Sequence, residues 1–255
     1  MFLMIDIHSH LLAGIDDGAE REEDTLRMAE IYKQFGFSKV VATPHINEKS
    51  GYFIGKSELE ERCRSWNEKF SELGLELLVG AEYYLEQNFV KFAEKYWPLI
   101  TINNSYFLLV ELPVLFPPSG LSISVFEIRS RNQELAKILP FLRLILAHPE
   151  RNEETLKNPE LSARRLREQG IYIQINLGSL IGLYGKPVRK CAELFLKKRL
   201  VDLVATDAHS PDQLKMVLEE GLARLRKLVG DKWCRVLMEV NPSRVLAGEP
   251  LEPMY

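Results

Sequence analysis

Cysteine is scarce in this chain. Cys63, Cys191 and Cys234 are the only three, and they share no CxxC-type spacing. Such cysteines read as free thiols of a reducing compartment, which points to the cytoplasm. Long apolar runs are also missing: nothing approaches the roughly eighteen uninterrupted apolar residues that span a bilayer, so no direct membrane insertion is expected. The opening MFLMIDIHSH lacks the basic start of a signal peptide, and Asp6 and His8 interrupt its apolar run. Charge of one sign is not concentrated anywhere. The 33 basic and 36 acidic residues are well mixed, and the formal net charge is -3. Without a Lys/Arg block or basic stripe, nucleic acid is excluded as an expected partner. There is no GxGxxG turn, no Walker loop and no repeat.

What the chain does contain is a series of apolar runs separated by helical stretches. The runs are FLMIDIH, KVVATPH, LELLVGAEYY, YFLLVELP, LRLILAHPE, IYIQINLGS and VDLVATDAH. The intervening patterns predict helices over Glu22 to Phe35, Ser57 to Leu73, Phe89 to Lys95, RSRNQELAKIL, Ala163 to Glu168, Val188 to Lys198 and Gln213 to Leu228. Ser57 is placed as an N-cap, with Glu60 completing a capping box. The runs are nearly all apolar rather than alternating, as expected for parallel strands buried on both faces. Helices between successive strands make each link a βα unit, in a barrel or in an open doubly wound sheet. At 255 residues, a barrel would make residues 1–255 a single domain. PVLFPPSG, Pro113 to Gly120, is the one irregular insertion, and it leaves Glu111 at a strand end.

Histidine is as sparse as it is well placed. His8 and His10 close the first run, His45 the second and His148 the fifth, while Asp207 and His209 close the seventh. Glu82 and Glu111 fall at or near the ends of the third and fourth, and Asp16 and Asp17 lie in the loop after the first. In a βα barrel all these ends meet at one mouth, where sites are built. Alternate strand residues share a face, so both imidazoles of His8-Ser9-His10 can reach one ion, and Asp207-Ala208-His209 repeats the geometry with a carboxylate. Nine candidate ligands, the five histidines with Asp17, Glu82, Glu111 and Asp207, are too many for one ion and suit two or three. Mixed nitrogen and oxygen donors without thiolate admit Mn, Fe or Zn. Three divalent ions against four carboxylates leave an excess of two positive charges, which matches a phosphate dianion. Arg151, three residues beyond His148, can grip a phosphate oxygen through its planar guanidinium. Gln174 and Asn176 at the sixth strand end are candidates for contacting substrate. Tyr52, Phe53, Phe116 and Tyr184 are candidates for flanking a ring-shaped one.

DIHSHLLAGIDDGA, VATPH, GAEYYL, LVELP, LAHPER, QINLGSLIGLYG and ATDAH, in that order, resemble the bacterial PHP-superfamily tyrosine phosphatases of the manganese-dependent CpsB/YwqE type, associated with capsule and exopolysaccharide synthesis. The motifs run from Asp6 to His209, and NPSRVL extends the similarity toward the end. The resemblance implies an α/β PHP domain, a distorted seven-stranded (β/α)7 TIM-like barrel with Mn2+ as cofactor. It implies one ion on His8, His10, Glu82 and Asp207, a second on Glu82, Glu111 and His148, and a third on Asp17, His45 and His209. It further implies phosphate binding by Arg151 and in-line attack by a metal-bridging hydroxide, with Arg151, Glu82 and Asp207 as catalytic residues. No cysteine here opens a CxxxxxR loop, which agrees with a mechanism free of cysteinyl-phosphate. The implied substrate is a phosphotyrosine protein, the tail of a membrane-associated bacterial tyrosine kinase, and homo-oligomers form in such families.

Three departures stand out, one of them a strip from Leu121 to Pro140 that is longer than usual. DAHSPDQLKMVLEEG carries no arginine where family members commonly have one, Lys215 being its only basic residue, and His45 is followed by Ile46-Asn47. Hydrolysis of a small, histidinol-phosphate-like phosphomonoester and a non-catalytic binding module are therefore the rival expectations.

Overall fold

Seven apolar segments become nine parallel strands, because two of them are interrupted where the ladder cannot continue. The computed structural model describes residues 3–47, 50–85, 89–96, 98–112 and 142–253, and all counts here refer to these. The strands are β1 (Met4–Ser9), β2 (Phe37–Ala42), β3 (His45–Ile46), β4 (Glu76–Val79), β5 (Glu82–Tyr84), β6 (Phe107–Glu111), β7 (Arg143–Ala147), β8 (Tyr172–Asn176) and β9 (Leu203–Ala205). They form one sheet ordered β1-β2-β4 and another ordered β3-β5-β6-β7-β8-β9.

The two interruptions lie side by side. KVVATPH breaks at Thr43-Pro44, where proline offers no N–H. LELLVGAEYY breaks at Gly80-Ala81, where a Cβ on Gly80 would stand 2.7 Å from Val41 Cγ1. Single hydrogen bonds carry the surface across the kink: Gly80 N donates to Ala42 O at 2.9 Å and Glu82 N to Pro44 O at 3.1 Å. At the other margin Ser9 pairs with Ala208 in parallel. His10 N donates to Ala208 O and Asp207 N to His8 O, both at 2.9 Å. The strands thus close as seven staves in chain order, β1, β2/β3, β4/β5, β6, β7, β8 and β9. The fold is a distorted (β/α) barrel, not a doubly wound sheet.

Residues alternate across the staves. Ile5, Ile7, Phe107, Leu109, Ile145, Ala147, Leu203 and Ala205 form one buried cluster, with Ile102, Val245 and Leu251. Leu108, Val110, Leu146 and Val204 belong to the larger cluster that includes buried helical residues.

Helices α1 (Glu22–Gln34), α2 (Lys56–Glu72), α3 (Phe89–Lys95), α4 (Glu153–Lys157), α5 (Pro159–Glu168), α6 (Leu177–Ile181) and α7 (Lys186–Lys197) connect and cover the staves. In α1, Glu22, Glu23 and Asp24 favour the helix start electrostatically, and Met28, Ala29 and Tyr32 are buried. Helix α2 is capped two residues earlier than the Ser57 expected from sequence: Gly55 is the N-cap, and its carbonyl already accepts from Leu59 N at 3.0 Å. The expected Gln213–Leu228 helix is α8 (Pro211–Met216) joined by a wide π turn to α9 (Leu222–Arg235), with Ser210 as the cap. A second π turn leads to α10 (Asn241–Ala247). The short α6 directly after β8 takes up the end of the apolar run IYIQINLGS, which the strand does not use. PVLFPPSG, RSRNQELAKIL and Phe116 lie outside the described residues. No helix among the described residues is long and apolar enough to cross a membrane.

Candidate metal centre

The staves bring all nine candidate ligands to one end of the barrel. Their donor atoms fall into three overlapping groups, within each of which they lie no more than 4.8 Å apart: His8, Glu82, His148 and Asp207; His45, Glu82 and Glu111; and His10, Asp17, His45 and His209. The same nine residues were expected from the resemblance, divided differently: here His148 accompanies His8, and His10 accompanies Asp17.

Glu82 lies at the centre. Its Oε1 is 3.1 Å from His148 Nε2. Its fully buried Oε2 accepts no well-formed hydrogen bond, although His8 Nε2, His10 Nε2 and His45 Nδ1 surround it at 3.2, 3.4 and 3.1 Å. Asp207 Oδ1 is likewise 3.2 Å from His8 Nε2 and 3.4 Å from His10 Nε2. On the outer side Asp17 Oδ1 is 3.5 Å from His45 Nε2 and 3.6 Å from His209 Nε2. Glu111 Oε1 stands 3.3 Å from His45 Nδ1.

A second tier of residues orients these donors. His8 Nδ1 lies 2.8 Å from Gln174 Oε1, His10 Nδ1 lies 2.6 Å from Asp16 Oδ2, and His209 Nδ1 lies 3.0 Å from the Asp207 carbonyl. Each partner is an oxygen acceptor, so in each ring Nδ1 carries the proton and the neutral form has its Nε2 lone pair toward the mouth. His8 and His10 then aim these nitrogens at each other across 3.2 Å. In their neutral forms the two rings present facing lone pairs beside an unbonded carboxylate oxygen, an arrangement that protons relieve in the bare protein and that a cation satisfies in their place, so the residues fit divalent metal.

Electrostatics agree. Burial alone would depress His10 and His45, but carboxylates override it: Asp16, Asp207 and Glu82 hold His10 well above the ordinary imidazole value, and Glu111 and Glu82 raise His45 to about 10. Burial would raise Asp16, yet its bond with His10 holds it down at about 2. Glu82 and Asp207 are also held low against burial, chiefly by the charge of His8 and hydrogen bonding from His10. Bare of metal, the cluster balances its carboxylates with protons on imidazole, and cations bind by displacing them.

Gln174 and Asn176, expected to contact substrate, are fully buried. Gln174 Nε2 donates to Asn176 Oδ1 at 2.8 Å, and Asn176 Nδ2 donates to Asp207 Oδ2 at 2.6 Å. Arg151 is partly open: its Nη1 donates to Asp207 Oδ2 at 3.0 Å, and its guanidinium lies 4.3 Å over the Tyr184 ring. His148 (φ 35°) and Asp207 (φ 52°) both adopt the left-handed region. Such strain costs on the order of 1–3 kcal/mol per residue and concentrates at functional sites.

Three contributors are not among the site residues expected from sequence. Asp16 accepts from His45 N at 2.9 Å as well as binding His10, but GIDDG does not say which aspartate turns inward. Glu150 is buried and accepts from Asn176 N and Ser179 Oγ at 2.9 and 2.7 Å. Asp6 accepts from Tyr32 Oη at 2.7 Å and from Thr206 N at 3.2 Å, tying β1 to α1 and to the end of β9. An acid inside MIDIH was the available signal for it. Two recesses open beside the cluster, with Glu111 lining both. One, of about 400 Å³, includes Asp17, His45, Tyr52 and Tyr84. The smaller includes His148, Arg151 and Asn152.

Comparison with known proteins places this geometry. Tyrosine-protein phosphatase YwqE of Bacillus subtilis is 30% identical over 242 residues, covering 92% of this chain and 89% of its own. Tyrosine-protein phosphatase CpsB of Streptococcus pneumoniae is 30% identical over 256 residues, covering 96% and 99%. A crystal structure from work on these two proteins, described there as metal-dependent tyrosine phosphatases, superposes with a TM-score of 0.84 at 27% identity over 98% of this chain and 97% of the other. A histidinol phosphate phosphatase from Lactococcus lactis, at 13% identity and a TM-score of 0.55 over 91% of this chain and 93% of the other, shares the fold. The capsular polysaccharide synthesis family CpsB/CapC matches residues 4–247, and the chain belongs to that family.

Proposed function

We propose that this chain is a metal-dependent protein-tyrosine phosphatase of capsule or exopolysaccharide synthesis, a single PHP metallophosphoesterase domain over residues 1–255. It acts in the cytoplasm on phosphotyrosine in a membrane-associated bacterial tyrosine kinase. The observation that carries this reading is the convergence of five histidines and four carboxylates at one end of the barrel, with the unbonded Glu82 Oε2 among three imidazole nitrogens, in a chain of the CpsB/CapC family.

In this reading the cofactor is Mn2+, as two or three ions, with Fe or Zn as the other metals the donor set accepts. As the resemblance implies, His8, His10, Glu82 and Asp207 would hold one ion, Glu82, Glu111 and His148 a second, and Asp17, His45 and His209 a third; His10 Nε2, 3.4 Å from both Glu82 Oε2 and Asp207 Oδ1, is within reach of the first set as well as of its outer group. When bound, such ions activate water at neutral pH and offset charge on the phosphoryl oxygens.

The chain's own residues do the rest. Arg151 supplies planar donors to a phosphoryl oxygen, and its contacts with Asp207 and Tyr184 hold the guanidinium ready beside His148. Glu82 and Asp207 would act as ligands that hold the ions at the barrel mouth. Gln174 and Asn176 serve the substrate from beneath, by locking His8 and Asp207 in place. The buried thiols of Cys63, Cys191 and Cys234 take no part.

Initial rates on a multiply phosphorylated tyrosine peptide, set against a panel of small phosphomonoesters, test the reading with Mn-loaded protein. Preference for the peptide is expected. Preference for a metabolite would replace the substrate, and silence on every substrate would favour a binding module.

A further inference from the structure

The larger recess beside the metal cluster is bounded by ligand-type side chains, by polar side chains and by two tyrosines. Asp17, His45 and Glu111 belong to the cluster, while Tyr52 and Tyr84 supply the ring surface. Tyr84 belongs to β5 with Glu82 and lies opposite Glu111 in β6, whereas Tyr52 is held beside the His45 strand. Asn47, two residues beyond His45, pairs antiparallel with Tyr52: Asn47 N donates to Tyr52 O at 2.7 Å, and Tyr52 N donates back to Asn47 O at 3.1 Å. This pairing sets the Tyr52 ring nearly parallel to the His45 imidazole, 18° between planes and 6.2 Å between centroids. The ring is only partly buried, so part of its surface remains toward the recess.

We infer that Tyr52 is a specificity-determining residue that stacks on the aromatic ring of the substrate and so favours aryl over alkyl phosphates. The inference rests on the phosphatase reading and deepens it. A phosphoryl group drawn to the cluster by Arg151 and the metals leaves its organic substituent to extend away from them, and the recess shared by Glu111 and His45 borders that exit. Phosphoryl recognition alone is blind to what the phosphate is attached to. The preference for an aryl group must come from a surface such as the Tyr52 ring, because aromatic pairs prefer offset or edge contacts at 4.5–7 Å between centroids.

The test uses metal-loaded protein and two readouts. The first is calorimetric affinity for phenylphosphonate against propylphosphonate, which carry similar charge and cannot be hydrolysed as phosphate esters. The second is kcat/KM for phenyl phosphate against propyl phosphate. In Tyr52→Ala and Tyr52→Leu the aryl-to-alkyl ratio is expected to fall about three- to tenfold in both readouts, and Tyr52→Phe is expected to restore it. Equal losses for aryl and alkyl ligands, or a wild-type protein that does not distinguish the phosphonates, would overturn the inference. Ring-selective, Tyr52-dependent binding by a protein that turns over nothing would uphold the inference and overturn the catalytic reading instead. Turnover with a ratio indifferent to Tyr52 would do the reverse.

Discussion

Replacing Gln174 with leucine removes a hydrogen-bonding side chain while leaving its volume nearly unchanged, so the effect on metal binding can be separated from cavity formation. Two contacts are lost. His8 Nδ1–H loses its acceptor at 2.8 Å, and Asn176 Oδ1 loses its donor at 2.8 Å. Both groups are fully buried. Each unsatisfied buried group costs about 1–3 kcal/mol, so the folded protein should lose roughly 2–6 kcal/mol. The change in metal affinity follows separately. Without Gln174 the His8 ring is free to rotate or change tautomer, and Asn176 is free to release Asp207. Loss of such orienting partners typically weakens metal binding about 10–100-fold, or roughly 1.4–2.7 kcal/mol. The assay is competition for Mn2+ against a fluorescent chelator, with urea unfolding of the metal-stripped protein run alongside. A folded Gln174→Leu protein that holds Mn2+ as tightly as wild type would refute the assignment of Gln174 as an orienting partner of the metal ligands.

Three further outcomes follow from the same geometry. Arg151→Lys should raise KM for a phosphotyrosine peptide about tenfold, because an ammonium replaces one point of a bidentate contact but not its planar fork; an unchanged KM would remove Arg151 from phosphate binding. Metal loading should release protons at pH 7.5, since carboxylate neighbours keep His10 and His45 protonated in the bare cluster, His45 up to about 10. Affinity should therefore rise with pH toward that value, and calorimetry in two buffers of different ionisation enthalpy would contradict this if the heats matched. Iodoacetamide should leave activity intact: burial pushes the Cys63 thiol up to about 12 and also raises Cys191 and Cys234, so little reactive thiolate is available. Inactivation that tracks alkylation of the folded protein would count against a cysteine-free mechanism.

Much of this architecture could be read from local pattern. The seven apolar runs correspond to the seven staves, and the residues closing them are the ones that converge. What could not be read depends on contacts distant in the chain. Gly80 has to be glycine because Val41 leaves no room for a Cβ, and a sequence window around Gly80 does not contain Val41. The choice between Asp16 and Asp17 depends on where His10 and His45 lie once β1 and β3 are assembled. Gln174 and Asn176 were legible as polar ends of an apolar strand. Their duty toward His8 and Asp207 was not, because those partners are 166 and 31 residues away. The left-handed conformations of His148 and Asp207 leave no signature either, since neither is a glycine.

Metal content and turnover measured on the same samples test the central claim most directly. Protein stripped by chelation would be titrated with Mn2+, its bound metal counted by elemental analysis, and phosphate release from a phosphotyrosine peptide measured at each point. The account predicts no turnover in stripped protein and activity that rises as two or three ions are bound. Full activity in metal-free protein, or two or three bound ions with no release of phosphate, would contradict it.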